Sequence, residues 1–144
     1  MTSALHTAAL CLGLSACVPP NDPEVLPRLD HAMFVQQVAP VLERRCSNPS
    51  CHGNDSRPLR VYAPEHFRMD AARLHLIEPL TGEELARNEA SASAFAVDIA
   101  RADDSLLLTK AIGLTSHLGG VVYRETTDPE YQAVRAWLQS GGLR

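Results

Sequence analysis

Cys46, Cys51 and His52 are the residues with most chemistry to offer, and they stand together in Cys46-Ser-Asn-Pro-Ser-Cys51-His52-Gly53. Two thiols followed at once by an imidazole follow the logic of the C-x-x-C-H pattern. In that pattern the thiols add across the two vinyl groups of haem, and the histidine is held under the iron as proximal ligand. Here four residues, Ser47, Asn48, Pro49 and Ser50, separate the cysteines instead of two, which makes the pattern C-x4-C-H. Asn48-Pro49 favours a turn, so the extra residues can bulge outward while both thiols face one porphyrin edge. The same residue types also suit a disulfide that closes a tight loop, with His52 incidental, or a metal site.

A second informative stretch is Thr115-Ser116-His117-Leu118-Gly119-Gly120. A glycine pair permits close backbone approach and positive φ, so a histidine just before it is well placed to point into a pocket. His66, Met69 and His75 carry ligand chemistry too, but surface histidines and core methionines are the ordinary explanation for such residues.

The other two cysteines belong to a different segment. Residues 1–17, MTSALHTAALCLGLSAC, form a short apolar run ending in small residues, too short to span a bilayer as a mature helix. Such a run reads as an export signal. Its last four residues, Leu14-Ser15-Ala16-Cys17, resemble a bacterial lipoprotein lipobox, which implies lipidation of Cys17 and cleavage just before it. Cys11 leaves with the signal, so Cys46 and Cys51 are the pair left to the folded part. In an exported protein such a pair goes to thioethers or to one disulfide. Val18 follows Cys17 where a retention aspartate would stand, which by the same resemblance points to the outer membrane. Val18 to Pro27 holds four prolines in ten residues, an extended tether that cannot be helical. The expected organisation is signal 1–17, tether 18–28 and one domain over 29–144.

Composition agrees with a single folded domain. Hydrophobic residues make up 45% and charged residues 21% of the 144, enough for a modest core. Aromatics are only 5%, which suggests a core of Leu, Val and Ala completed by a large apolar cofactor. The net charge is −4 with Lys110 as the one lysine, and nothing resembles a phosphate-binding surface, which argues against nucleic acid as a partner.

The elements that must position these residues read as helices. Asp30 is suited to cap a helix over 31–45, with Phe34, Val38, Val41 and Leu42 on one face and Pro40 expected to kink or split it. Arg44 and Arg45 end it as solvated charges or as partners for haem propionates. Residues 54–58 read as loop, 59–62 as a short extended piece and 64–73 as including a helical turn. Thr81 and Glu84 form a capping box for a helix over 82–88. Phe95, Val97 and Ile99 alternate in a strand-like way. Asp103 or Asp104 is expected to cap a helix carrying Leu106, Leu107, Leu108 and Ile112, stopped by Gly113. Asp128-Pro129-Glu130 starts a last helix running to Ser140, with Tyr131, Val134, Trp137 and Leu138 on one face.

That order resembles the single-haem cytochrome c domain, and more narrowly the planctomycete-type cytochrome c domains of exported bacterial proteins. The resemblance rests on Phe34-x3-Val38-x-Pro40-x-Leu42 before the motif, Ser105-x-Leu-Leu-x-Lys110 and His117-x-Gly-Gly120 after it, and Asp128, Tyr131 and Trp137-Leu138-x-x-Gly141 at the end. It spans residues 31 to 142. It implies an all-α, cytochrome c-like fold, with the first and last helices crossing beside a haem pocket through Phe34, Val38, Val134 and Trp137. It further implies covalent haem c on Cys46 and Cys51, with iron held by His52 and, distally, by His117. Many relatives use Met distally, but no Met follows Met69 here. Two histidines leave no open iron position, so the resemblance implies a lipid-anchored periplasmic electron carrier serving redox partner proteins. Peroxidase-like activity would follow only from an open distal position. The rival from the residues is a haem-free, disulfide-bonded lipoprotein domain with a binding or scaffolding role.

Overall fold

A computed structural model describes residues 28–96 and 101–142. The expected export signal, Cys17 and most of the expected tether lie outside the described residues, as do Val97 and Ile99 of the strand-like reading. Among the described residues the chain is helical without a strand, which bears out the all-α expectation. No helix among them is long and apolar enough to cross a membrane.

Helix α1 (31–45) starts where Asp30 caps it, its Oδ1 accepting from the Met33 N–H at 2.8 Å. It is α-helical over His31–Met33, π-helical over Phe34–Val38 and α-helical again over Ala39–Arg45. Pro40 thus neither ends nor splits it. In a regular turn the proline ring would meet the carbonyl four residues back. The chain widens instead, and the Ala39 N–H reaches the Phe34 carbonyl five residues back. Phe34, Val38, Val41 and Leu42 are all buried, as their spacing predicts.

Helix α2 (Gly82–Ser93) carries the predicted capping box but runs five residues beyond the predicted end. Its extra turns are held from outside. Ser91 Oγ accepts from the Arg60 N–H at 2.8 Å, and Asn88 takes both backbone groups of Tyr62: Oδ1 accepts from its N–H at 2.7 Å and Nδ2 donates to its carbonyl at 2.9 Å. The extended piece around 59–63 therefore docks on a helix instead of pairing as a strand. The Val61 N–H donates to the His52 carbonyl and the Ala63 N–H to the Phe67 carbonyl. Beneath α2, the Glu84 carboxylate and the Arg68 guanidinium form a fully buried pair, with Nε and Nη2 each 2.8 Å from one oxygen. Glu84 also accepts from the N–H groups of Met69 and Thr81 and from the Thr81 hydroxyl.

Helix α3 (Leu106–Ala111) is capped by Ser105, whose Oγ accepts from the Leu107 N–H, and not by either aspartate. Asp104 is taken by Arg101, while Asp103 receives two bonds from Arg135, at 2.7 and 2.9 Å. Helix α4 (Pro129–Ser140) begins with Asp128 accepting from the Glu130 N–H, as predicted. Tyr131, Val134, Trp137 and Leu138 are buried, and the Trp137 ring lies on Phe34 with centroids 5.2 Å apart. Arg44 and Arg45 at the end of α1 both donate to Glu130, tying the two terminal helices together a second time. Both arginines are exposed, as the reading of a solvated helix end expects, and neither lines the cavity described next.

Candidate functional site

α1 delivers Cys46 into a tight loop built on Asn48. The Cys51 and Gly53 N–H groups both donate to the Asn48 carbonyl, the Ser50 N–H donates to Asn48 Oδ1, and the His52 N–H donates to the Cys46 carbonyl. Asn54 closes the outside by donating to the Pro49 and Cys51 carbonyls. The four residues between the cysteines are thus a hydrogen-bonded turn. Gly53 permits its closeness: a Cβ there would stand 1.9 Å from the Ser47 carbonyl oxygen.

Cys46, Cys51 and His52 all line a cavity of about 510 Å³, within the range of roughly 300–1,000 Å³ typical of ligand pockets. Leu42, Leu59, Phe95, Leu107, Val122 and Val134 supply apolar walls from α1, α3, α4 and the loops. His117 lines the same cavity, 65 residues along the chain from His52. Their rings stand nearly parallel, 9° between planes, with centroids 6.0 Å apart.

Both rings are oriented from behind by backbone. His52 Nδ1 lies 3.0 Å from the Leu59 carbonyl oxygen and His117 Nδ1 lies 2.8 Å from the Gly120 carbonyl oxygen. A carbonyl only accepts, so each contact requires the proton on Nδ1 and leaves the lone pair on Nε2. Neither Nε2 has a hydrogen-bond partner among the described residues. Each anchor is itself held. The Leu59 carbonyl belongs to the segment that Asn88 and Ser91 dock on α2. The Gly120 turn has φ +78°, and its N–H returns to the His117 carbonyl. Lys110 Nζ donates to the Ser116 carbonyl at 2.8 Å, fastening the His117 loop to the end of α3.

Burial pushes the Cys46 thiol up to about 12. Burial lowers the His52 pKa and keeps that ring neutral, the form that binds metals. Tyr123, on the wall, is raised by burial and stays a neutral phenol. Both cysteines are free thiols.

The ring separation and the two bare Nε2 atoms are compatible with both imidazoles holding one metal. A metal–imidazole bond is about 2 Å long and a ring nitrogen sits about 1 Å from its ring centre, so two rings sharing one metal need centroids about 6 Å apart. Backbone carbonyls on Nδ1 are the usual outer support of such ligands. No cluster of three or more His, Cys, Asp or Glu suited to a metal ion occurs among the described residues. Two imidazoles and two thiols thus face one largely apolar cavity.

Of the predicted site residues, Cys46, Cys51, His52 and His117 come together. His66, Met69 and His75 do not: all three are largely exposed, none lines the cavity, and His66 Nδ1 is bonded to Ser47 Oγ. The Leu59 and Gly120 carbonyls escape sequence reasoning because main-chain atoms carry no residue type, although Gly119-Gly120 flags the second. No family model matches the chain, and no curated protein or solved structure matches it.

Proposed function

We propose that the chain is a lipid-anchored, single-haem c-type cytochrome that carries electrons in the periplasm, with a cytochrome c-like arrangement of α1 and α4 beside its cofactor. The observation that carries the reading is the pair of parallel imidazoles 6.0 Å apart, each with Nδ1 on a carbonyl and Nε2 bare, in an apolar cavity that also holds two thiols. Cys46 and Cys51 would hold haem c covalently, and His52 and His117 would bind its iron. When bound, haem supplies a one-electron couple between ferrous and ferric iron.

The protein's own work is positional. Leu59 and Gly120 fix both imidazole tautomers and hold the two rings in place. The apolar walls exclude water and lower the local dielectric. If His52 and His117 both hold the iron, it would be closed to oxygen and peroxide, which favours electron transfer over enzyme chemistry. Ligation by histidine in place of methionine would place the potential low for the class. Redox proteins are the partners, and the lipobox at 14–17, with Val18 after it, supports an anchor in the outer membrane.

The test is protein expressed with a c-type maturation system and read by intact mass and pyridine haemochrome spectrum. One haem that survives denaturation, and is lost in Cys46→Ser or Cys51→Ser, is expected, with a sharp low-spin α band on reduction. His117→Ala should turn that spectrum high-spin and open the iron to peroxide. An unmodified mass, lighter than the dithiol by a pair of hydrogens, would replace the cytochrome with the disulfide-bonded lipoprotein domain.

A further inference from the structure

Resting on the haem reading, the structure assigns Arg57 and Lys110 as the residues that receive the two propionate carboxylates. Acids outnumber bases in the chain, 17 to 13, yet no Asp or Glu lines the cavity among the described residues. Its charged lining residues are Arg57 and Lys110 alone, leaving aside the histidines. A cavity with apolar walls and only cations at its edge selects a flat apolar body that carries acid groups.

The donors are also available. Arg57 makes no hydrogen bond or ion pair among the described residues, so all five of its N–H groups are free. Lys110 spends one of three donors on the Ser116 carbonyl and keeps two. Arg44 and Arg45, the other cations suited to this role by sequence, pair with Glu130 and do not line the cavity. One cation comes with each imidazole: Arg57 follows the loop that holds His52, and Lys110 fastens the loop that holds His117. Cofactor entry therefore couples the two halves of the site by charge as well as by metal.

Reversible binding tests this, using the full chain carrying Cys46→Ser and Cys51→Ser. Iron(III) protoporphyrin IX and its dimethyl ester are titrated in parallel and followed at the Soret band. The diacid should bind about tenfold tighter at low salt, the worth of two partly exposed charge pairs, with the margin shrinking as salt rises. Adding Arg57→Gln and Lys110→Gln should erase the margin, whereas Arg44→Gln should leave it. Equal binding of diacid and diester, or a margin that survives the double replacement, overturns the assignment while leaving haem binding intact. Failure to bind either porphyrin also overturns the assignment, and it overturns the haem reading itself when the wild-type chain matured as above carries no haem either. If the serine replacements unfold the loop, as judged by circular dichroism, the wild-type chain kept reduced gives the same comparison.

Discussion

Gly53 stands against the Ser47 carbonyl so closely that no side chain fits, and the atom in the way is backbone. Gly53→Ala should therefore force the motif loop open and cost about 2–3 kcal/mol, as overpacked sites do. Thermal unfolding of the apo chain reads this, and a variant as stable as wild type would show that the loop is looser than its hydrogen bonds imply. Glu84 is the second residue with a sharp consequence. The Arg68 guanidinium, helped by the Thr81 and Met69 N–H groups, outweighs burial and holds its carboxyl down to about 2, against an ordinary 4.5. A depressed carboxyl stabilises the fold above its unfolded value. That contribution should be complete near neutral pH and fade as pH falls from about 4.5 to about 2. Glu84→Gln should cost about 3 kcal/mol, because it strands a buried guanidinium, and should flatten the acid limb of a stability-against-pH curve. An unchanged acid limb would assign the acid sensitivity elsewhere.

At the scale of elements, Asn88 does the work of a neighbouring strand, with both ends of its amide on Tyr62. Asn88→Ala would leave a buried N–H and a buried carbonyl unpaired, at about 1–3 kcal/mol. It should also free the Leu59 carbonyl to wander, so His52 should lose protection of its ring before global unfolding. NMR of the His52 ring proton against denaturant reads that order, and simultaneous loss would count against it. The same contact explains what the sequence hid. Helix starts were legible at Asp30, Thr81 and Asp128 because a cap is a bond between residues two or three apart. The end of α2 was not, since it depends on residues 26 and 31 positions away. Nor was the cap of α3: Asp103 looked available, but Arg135 draws it off from 32 residues further on. In the site, Cys46, Cys51, His52 and His117 were legible as residue types. The atoms that aim the two imidazoles were not, because they are carbonyls of Leu59 and Gly120.

Over the whole molecule, the ends of the domain are joined through Phe34 on Trp137 and again through Glu130 with Arg44 and Arg45. The first joint is fully buried and should dominate. Phe34→Ala should cost about 3–5 kcal/mol, the usual price of emptying such a position. Trp137 is the one tryptophan and is inaccessible to water, so its emission reports this joint directly in a denaturant titration. A loss of under about 1 kcal/mol would mean that the ion pairs carry the crossing instead. The extended segment at 59–63 has a wider consequence. Successive N–H groups from Arg60 to Ala63 are each spoken for, by Ser91, His52, Asn88 and Phe67, and no strand supplies any of them. A second copy of the chain therefore finds no open edge here to lengthen into a sheet. Asn88, with both ends of its amide on Tyr62, is one of the contacts that close this edge.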